Sequence, residues 1–206
     1  MKIGIIGAGV VGRALAKLAV NAGHEVMVSN SRGPRSMFSL PYSTGCTLGT
    51  VEEAAQFGSM VVLAVPLYAY HTLPPSLLAD KLVVDACNYY PERDGCIEAL
   101  DLKKTSSSEL IANYFPQARI VKAFNAIPMN DLENDGQPVG TPKRRALPVA
   151  GDLESDKALL AMLYEQFGFD VVDAGVLSEG ARFEPGTPAY CKPLNKQELQ
   201  AALAAV

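Results

Sequence analysis

The sequence predicts a doubly wound α/β fold around a mostly parallel sheet, and three features of its pattern point there. Short apolar runs rich in Val, Ile and Leu alternate with helix-like stretches from end to end. The runs are continuous rather than alternating in polarity, as expected of strands covered on both faces. The first run leads into a glycine-rich hexapeptide and then a helical stretch, the way a βαβ unit begins.

Taken in order, residues 2–6 read as a strand, 10–21 as a helix and 25–28 as a second strand. Residues 50–57 read as a short helix, 60–65 as a buried strand, and 82–86 as another after the Pro74-Pro75 turn. A helix is expected over 107–114, where Ser106 to Ser108 offer N-cap hydroxyls and Glu109 favours the first turn. Residues 119–124, 146–150 and 170–173 complete the strands, with a helix over 155–167 between the last two. Two loops, 134–145 and 179–193, are rich in Gly, Pro and charge and are expected to be mobile or site-forming. No repeat or linker divides the chain, so residues 1–206 are read as one domain whose extension from about 175 completes the substrate side.

Composition narrows the function classes. An apolar fraction of 49% with 19% charged residues describes a globular chain. A net charge of −4 gives no electrostatic case for nucleic acid or an anionic membrane surface. Gly7, Gly9 and Gly12 interrupt the N-terminal apolar run, which argues against a signal peptide, and no stretch approaches the ~18 apolar residues of a membrane span. Cys46, Cys87, Cys96 and Cys191 lack CxxC spacing, so reduced thiols in a cytoplasmic protein, with no metal site, are expected.

Gly7-Ala8-Gly9-Val10-Val11-Gly12 fits G-x-G-x-x-G, and its place between a strand and a helix turns a weak hexapeptide signal into a strong one for a Rossmann-type dinucleotide site. Gly7 permits the tight turn, Gly9 lets the backbone approach a pyrophosphate, and Gly12 lets the helix pack on the strand. The helix N-terminus then faces the phosphates. An NAD site normally carries Asp or Glu at the end of the second strand. This chain instead reads Ser29-Asn30-Ser31-Arg32-Gly33-Pro34-Arg35 there. Hydroxyl, amide and guanidinium groups suit the 2′-phosphate of NADP(H), with Arg32 as the main contact, Arg35 a second positive charge, and Asn30 and Ser31 shaping the turn.

With these segments, and with Asp85-Ala86-Cys87-Asn88-Tyr89-Tyr90-Pro91, Thr105 to Leu110, Val121-Lys122-Ala123-Phe124-Asn125-Ala126-Ile127 and Arg182 to Pro188, the chain resembles a known family. It is the NADPH-dependent oxidoreductases typified by NADPH:coenzyme F-420 oxidoreductase, whose related cytosolic domains carry the NADPH site of membrane metalloreductases. The resemblance implies hydride transfer between NADPH and a flavin or deazaflavin, a small-molecule electron acceptor, in a homodimer. It also implies that no dedicated catalytic residue is needed, since the cofactor carries the chemistry. Ala64, Val65 and Pro66 are then expected beside the nicotinamide ribose, Asn125, Ala126 and Ile127 near the nicotinamide, and Asn88 as a weaker candidate. The Pro66–His71 stretch offers rings for stacking and a titratable His71, although packing is the commoner role. Lys143-Arg144-Arg145 reads as a solvated basic loop in preference to a docking point for an acidic coenzyme tail. Two other readings stand behind this one: an NADPH-dependent reductase of a small carbonyl or imine, and an NADPH-binding redox-sensing module.

Overall fold

The alternating runs and helices resolve into a single eight-stranded sheet in a computed structural model that describes residues 1–206. The strands are β1 (Lys2–Ile6), β2 (Glu25–Ser29), β3 (Thr47–Leu48), β4 (Met60–Leu63), β5 (Leu82–Asp85), β6 (Arg119–Lys122), β7 (Ala146–Gly151) and β8 (Asp170–Gly175). In space they follow the order β3-β2-β1-β4-β5-β6-β7-β8. Every neighbouring pair is parallel except β6 with β7, so β7 and β8 run together against the other six. Connections leave β1 toward β2 on one side and reach β4 on the other, and ligands collect outside the strand ends at such a switch point.

The helices are α1 (Val10–Asn21), α2 (Leu40–Thr44), α3 (Val51–Phe57), α4 (Pro91–Asp94), α5 (Glu98–Asp101), α6 (Ser107–Tyr114), α7 (Met129–Asn134), α8 (Glu154–Gln166) and α9 (Lys196–Ala204). Successive strand residues face opposite sides of the sheet. Ile5, Val28, Val62, Val84 and Val121 pack with Leu15 of α1 and Leu160 of α8, while Val61, Leu63 and Val83 pack with Ile111 of α6 and Phe115. A smaller core joins β7 and β8 to α9 through Ala146, Val172, Leu199 and Leu203. Both faces are therefore covered, which is why the strands read as unbroken apolar runs.

β1, α1 and α6 have the bounds read from sequence. β4 ends at Leu63, short of the expected 65, as the chain turns into Pro66. β6 ends at Lys122 because Phe124 takes a left-handed conformation (φ 61°) and donates its N–H to the Tyr164 hydroxyl at 2.9 Å. The basic loop is corrected at two of its three residues, Lys143 being exposed as expected. Arg144 is buried and pairs with Asp170 at 2.9 Å, and buried Arg145 reaches Asp131 at 2.8 Å and Asp135 at 2.6 Å. These arginines are neither solvated nor free for a ligand; they fasten the 134–145 loop to α7 and to the start of β8.

A second charged group lies deeper. Lys122 is fully buried, and its ammonium donates to Asp85 at 3.1 Å, to the Cys87 carbonyl at 2.7 Å and to Ser107 Oγ at 2.9 Å. Ser108 Oγ donates to Asp85 at 2.5 Å. Lys122→Met would keep the volume and strand the Asp85 charge, and breaking a buried pair in this way costs about 3–5 kcal/mol. We expect a lowered urea midpoint with unchanged slope, partly restored by adding Asp85→Asn; an unchanged midpoint for the single variant would contradict the assignment.

Candidate active site

Three glycines shape the loop between β1 and α1, for different reasons. Gly7 has φ 116°, and a Cβ there would lie 2.1 Å from the Ala64 carbonyl oxygen. A Cβ on Gly12 would lie 1.9 Å from the Gly7 carbonyl oxygen. Backbone packs against backbone at both positions, so the fold itself requires them. Around Gly9 nothing lies within 4 Å of a Cβ. Gly9 is the N-cap of α1, with no side-chain cap and no acidic residue in the first turn, so the positive end of this helix is unneutralised and its first N–H groups face open space. Ala8 is half-buried, and its carbonyl accepts from Arg13 Nε at 2.8 Å. Val10 and Val11 continue into the helix without lining the cleft.

Beyond β2 the chain closes a turn on its own side chains. Asn30 Oδ1 accepts the Arg32 N–H at 3.0 Å and Asn30 Nδ2 donates to Ser36 Oγ at 2.8 Å, with Gly33 at φ 81°. Asn30 thus builds the turn, and Ser31 and Arg32 project from it, exposed. Arg35 is exposed too but stands outside the cleft wall.

The glycine loop, residues 30–32 and residues 64–73 enclose a cleft of about 500 Å³. Ala64, Val65, Pro66 and Tyr68 line it. Its wall carries no carboxylate, imidazole, amine or thiol, and Arg32 is its one formal charge. The aromatic stretch divides: Tyr68 reaches the cleft, Tyr70 packs edge-on against Tyr114 with centroids 5.3 Å apart, and His71 is exposed outside it. A cleft with only positive potential and a glycine with no fold-based reason to be glycine suits a dinucleotide polyphosphate.

Across the sheet, the ends of β5 and β6 are tied by two amides. Asn88 Nδ2 donates to the Asn125 carbonyl at 3.0 Å, and Asn125 Nδ2 donates to Asn88 Oδ1 at 3.1 Å and to the Phe183 carbonyl at 3.0 Å. Asn125 is 3% exposed, yet its Oδ1 has no partner. The Ala126 and Ile127 side chains turn into two different cores, Ala126 with β7, β8 and α9 and Ile127 with the α1 and α8 face of the sheet. β5 separates the Val65-Pro66 and Ala126-Ile127 turns by two strand spacings, about 10 Å.

Several features had no signal in the sequence. A cavity of about 580 Å³ lies between the start of α6 and residues 184–187, with Tyr89 and Lys104 on its wall. The Tyr90 and Tyr190 hydroxyls hydrogen-bond to each other, and the Cys191 N–H reaches the Ala126 carbonyl at 3.1 Å. Burial, followed by the bond from Tyr90, pushes the Tyr190 phenol well above the ordinary tyrosine value. Finding these groups needs the 100-residue separation of Tyr90 from Tyr190 to be closed in space.

A glycine loop at the switch point, an arginine turn after β2 and a cleft free of acids define the class: the protein is an NADP-dependent oxidoreductase. Residues 2–89 match the family described as NADP oxidoreductase, coenzyme F420-dependent, and the chain belongs to that family. The structure of a hypothetical protein from Sinorhizobium meliloti superposes with a TM-score of 0.81 at 30% identity, covering 95% of both chains. A protein of Arthrobacter sp. FB24, assigned as an F420-dependent NADP-reductase, gives 0.75 at 26% identity, covering 88% of this chain and 87% of that one. Metalloreductase STEAP3 of Rattus norvegicus is 28% identical over 188 residues; this is 89% of the present chain but only 36% of the relative's length. No helix is long and apolar enough to cross a membrane.

The two kinds of glycine make a contrast that can be measured. Gly12→Ala drives a Cβ into the Gly7 carbonyl and should destabilise the fold by about 1–3 kcal/mol or more, as overpacking does. Gly9→Val meets nothing in the protein and should leave the urea midpoint within about 1 kcal/mol of wild type, the scale of a changed cap. It should nevertheless weaken NADPH at least tenfold, about 1.4 kcal/mol by calorimetry. Full NADPH affinity in a folded Gly9→Val chain would refute the placement of the phosphates.

Proposed function

We propose that the protein transfers hydride between NADP(H) and a planar flavin or deazaflavin of the coenzyme F-420 type. The observation that carries this reading is the match of residues 2–89 to NADP oxidoreductases described as coenzyme F420-dependent. When bound, the nicotinamide supplies the hydride, and the protein's share is to bind and align two rings. In this proposal the backbone of Gly7 to Gly12 and the α1 N-terminus hold the pyrophosphate, Ser31 and Arg32 take the 2′-phosphate, and Arg35 adds longer-range attraction. Ala64, Val65 and Pro66 present a flat apolar wall to the ribose, while Asn88 and Asn125 mark the nicotinamide end. We further propose a cytoplasmic homodimer; the four unpaired cysteines accord with a reducing compartment.

Two measurements test the proposal. Because Arg32 is exposed on the cleft rim and supplies its one formal charge, Arg32→Ala should remove most of an NADPH preference of at least tenfold, about 1.4 kcal/mol, with NADH affinity nearly unchanged. Equal binding of both dinucleotides by the wild type would end the 2′-phosphate assignment. Stopped-flow mixing of the NADPH-loaded protein with a deazaflavin, with flavins, and with small carbonyl and imine compounds should show reduction of the planar rings. Turnover of a carbonyl or imine alone would replace the proposed acceptor.

A further inference from the structure

We infer that Glu184 is a positioning residue that fixes the Asn125 amide so that its Oδ1 selects for a carboxamide N–H on the bound pyridine ring. The inference rests on the proposed placement of the nicotinamide at the strand ends. Glu184 lies 59 residues beyond Asn125 in sequence and touches it only through the backbone of its neighbour. Glu184 Oε1 accepts from the Ser107 N–H at 2.9 Å and from Ser107 Oγ at 2.5 Å, and lies 3.9 Å from the Lys122 ammonium. Ser107 is fully buried at the first position of α6, and the preceding Phe183 side chain is also fully buried. The peptide between residues 183 and 184 is therefore held from both sides.

The Phe183 carbonyl then takes one Asn125 N–H at 3.0 Å, and Asn88 Oδ1 takes the other at 3.1 Å. With both N–H groups committed to acceptors, a flipped amide would set oxygen against oxygen on two sides, so the orientation is determined. What remains is an acceptor in a residue 3% exposed, without a donor from the protein. A buried oxygen of this kind is stabilised by an incoming donor and disfavours a ligand that brings none. A neutral amide N–H₂ is such a donor.

Calorimetry on the full chain with NADP⁺ and with its 3-acetylpyridine analogue, which keeps the ring carbonyl and loses the N–H₂, tests this. The wild type should prefer NADP⁺ by at least about tenfold. Glu184→Ala should bring the two ligands within about twofold, while the affinity for adenosine 2′,5′-bisphosphate, which has no pyridine, stays constant. Glu184→Gln still offers an oxygen to Ser107 and should retain the preference. Loss of stability alone would lower the affinity for all three ligands together and would not erase the discrimination. Should Glu184→Ala fail to fold, Ser107→Ala, which leaves the helix N–H in place, is expected to weaken the preference about threefold. A wild type indifferent to the amide, or a folded Glu184→Ala or Ser107→Ala chain that keeps the full preference, overturns the inference. Wild-type binding of adenosine 2′,5′-bisphosphate with no amide preference would leave the dinucleotide reading standing, whereas no binding of it would overturn both.

Discussion

A lysine ammonium taken wholly out of water at the end of a central strand constrains everything around it. Burial alone would push the Lys122 pKa down, but the Asp85 and Glu184 carboxylates more than reverse this and hold it above the ordinary lysine value. The charge therefore persists inside the protein and has to be surrounded by acceptors. Asp85 of β5, the Cys87 carbonyl beyond it and Ser107 of α6 supply them. Ser107 in turn engages Glu184 of the C-terminal segment. A Cβ on Gly180 would lie 3.3 Å from Lys122 Cγ, so the same segment also closes directly over the lysine stem. One cation thus joins two strands, a helix and a chain segment more than sixty residues away in sequence.

The consequence is a division of labour along the edge of the sheet. On the β1–β2 side, the site is made of backbone: glycines, an uncapped helix and a turn that Asn30 closes on itself. On the β5–β6 side, the strand ends carry polar side chains whose aim depends on a hydrogen-bond network with few alternatives. Groups used for alignment are held best when their own rotamers are fixed by further hydrogen bonds. Asn88 and Asn125 meet that requirement, since each bonds the other and Asn125 also bonds Phe183.

That division also explains what could be read in the sequence. The glycine loop is a contiguous hexapeptide with a strand before it and a helix after it, so motif and context were both visible, and β1 and α1 fall where the pattern puts them. The absence of a carboxylate after β2 was equally local. Direction was not legible: an apolar run has no polarity, so nothing distinguished β7 and β8 from parallel neighbours. β3, at two residues, is too short to carry a period. Arg144 and Arg145 looked like a surface charge run because the acids that bury them, Asp131, Asp135 and Asp170, are brought in by tertiary structure. Ala126 and Ile127 lie four and five residues beyond the end of β6, and which way a side chain turns there depends on the packing of α9 and α7. The Lys122–Glu184 link joins residues whose separation in sequence hides it from any spacing rule.

The distribution of acids along the helices gives the last step. α3, α6 and α9 carry capping boxes at Thr50–Glu53, Ser106–Glu109 and Asn195–Glu198, and α8 has Glu154 and Asp156 in its first turn. Each of these N-termini is neutralised from within the chain, as helix ends generally require. Among helices of seven residues or more, α1 alone has neither a side-chain cap nor a first-turn acid, in a protein whose net charge is −4. A Ser or Asp at position 9 would stabilise the isolated helix by roughly a few tenths of a kcal/mol over the Gly that stands there. Such a side chain would also occupy the open space before the first N–H groups, and an acid would repel phosphate. Among the longer helices α1 alone forgoes both devices, and it is the helix whose N-terminus opens on the cleft. A long helix with neither cap nor acid, opening on a cleft, is the physical sign that this end is completed by a ligand.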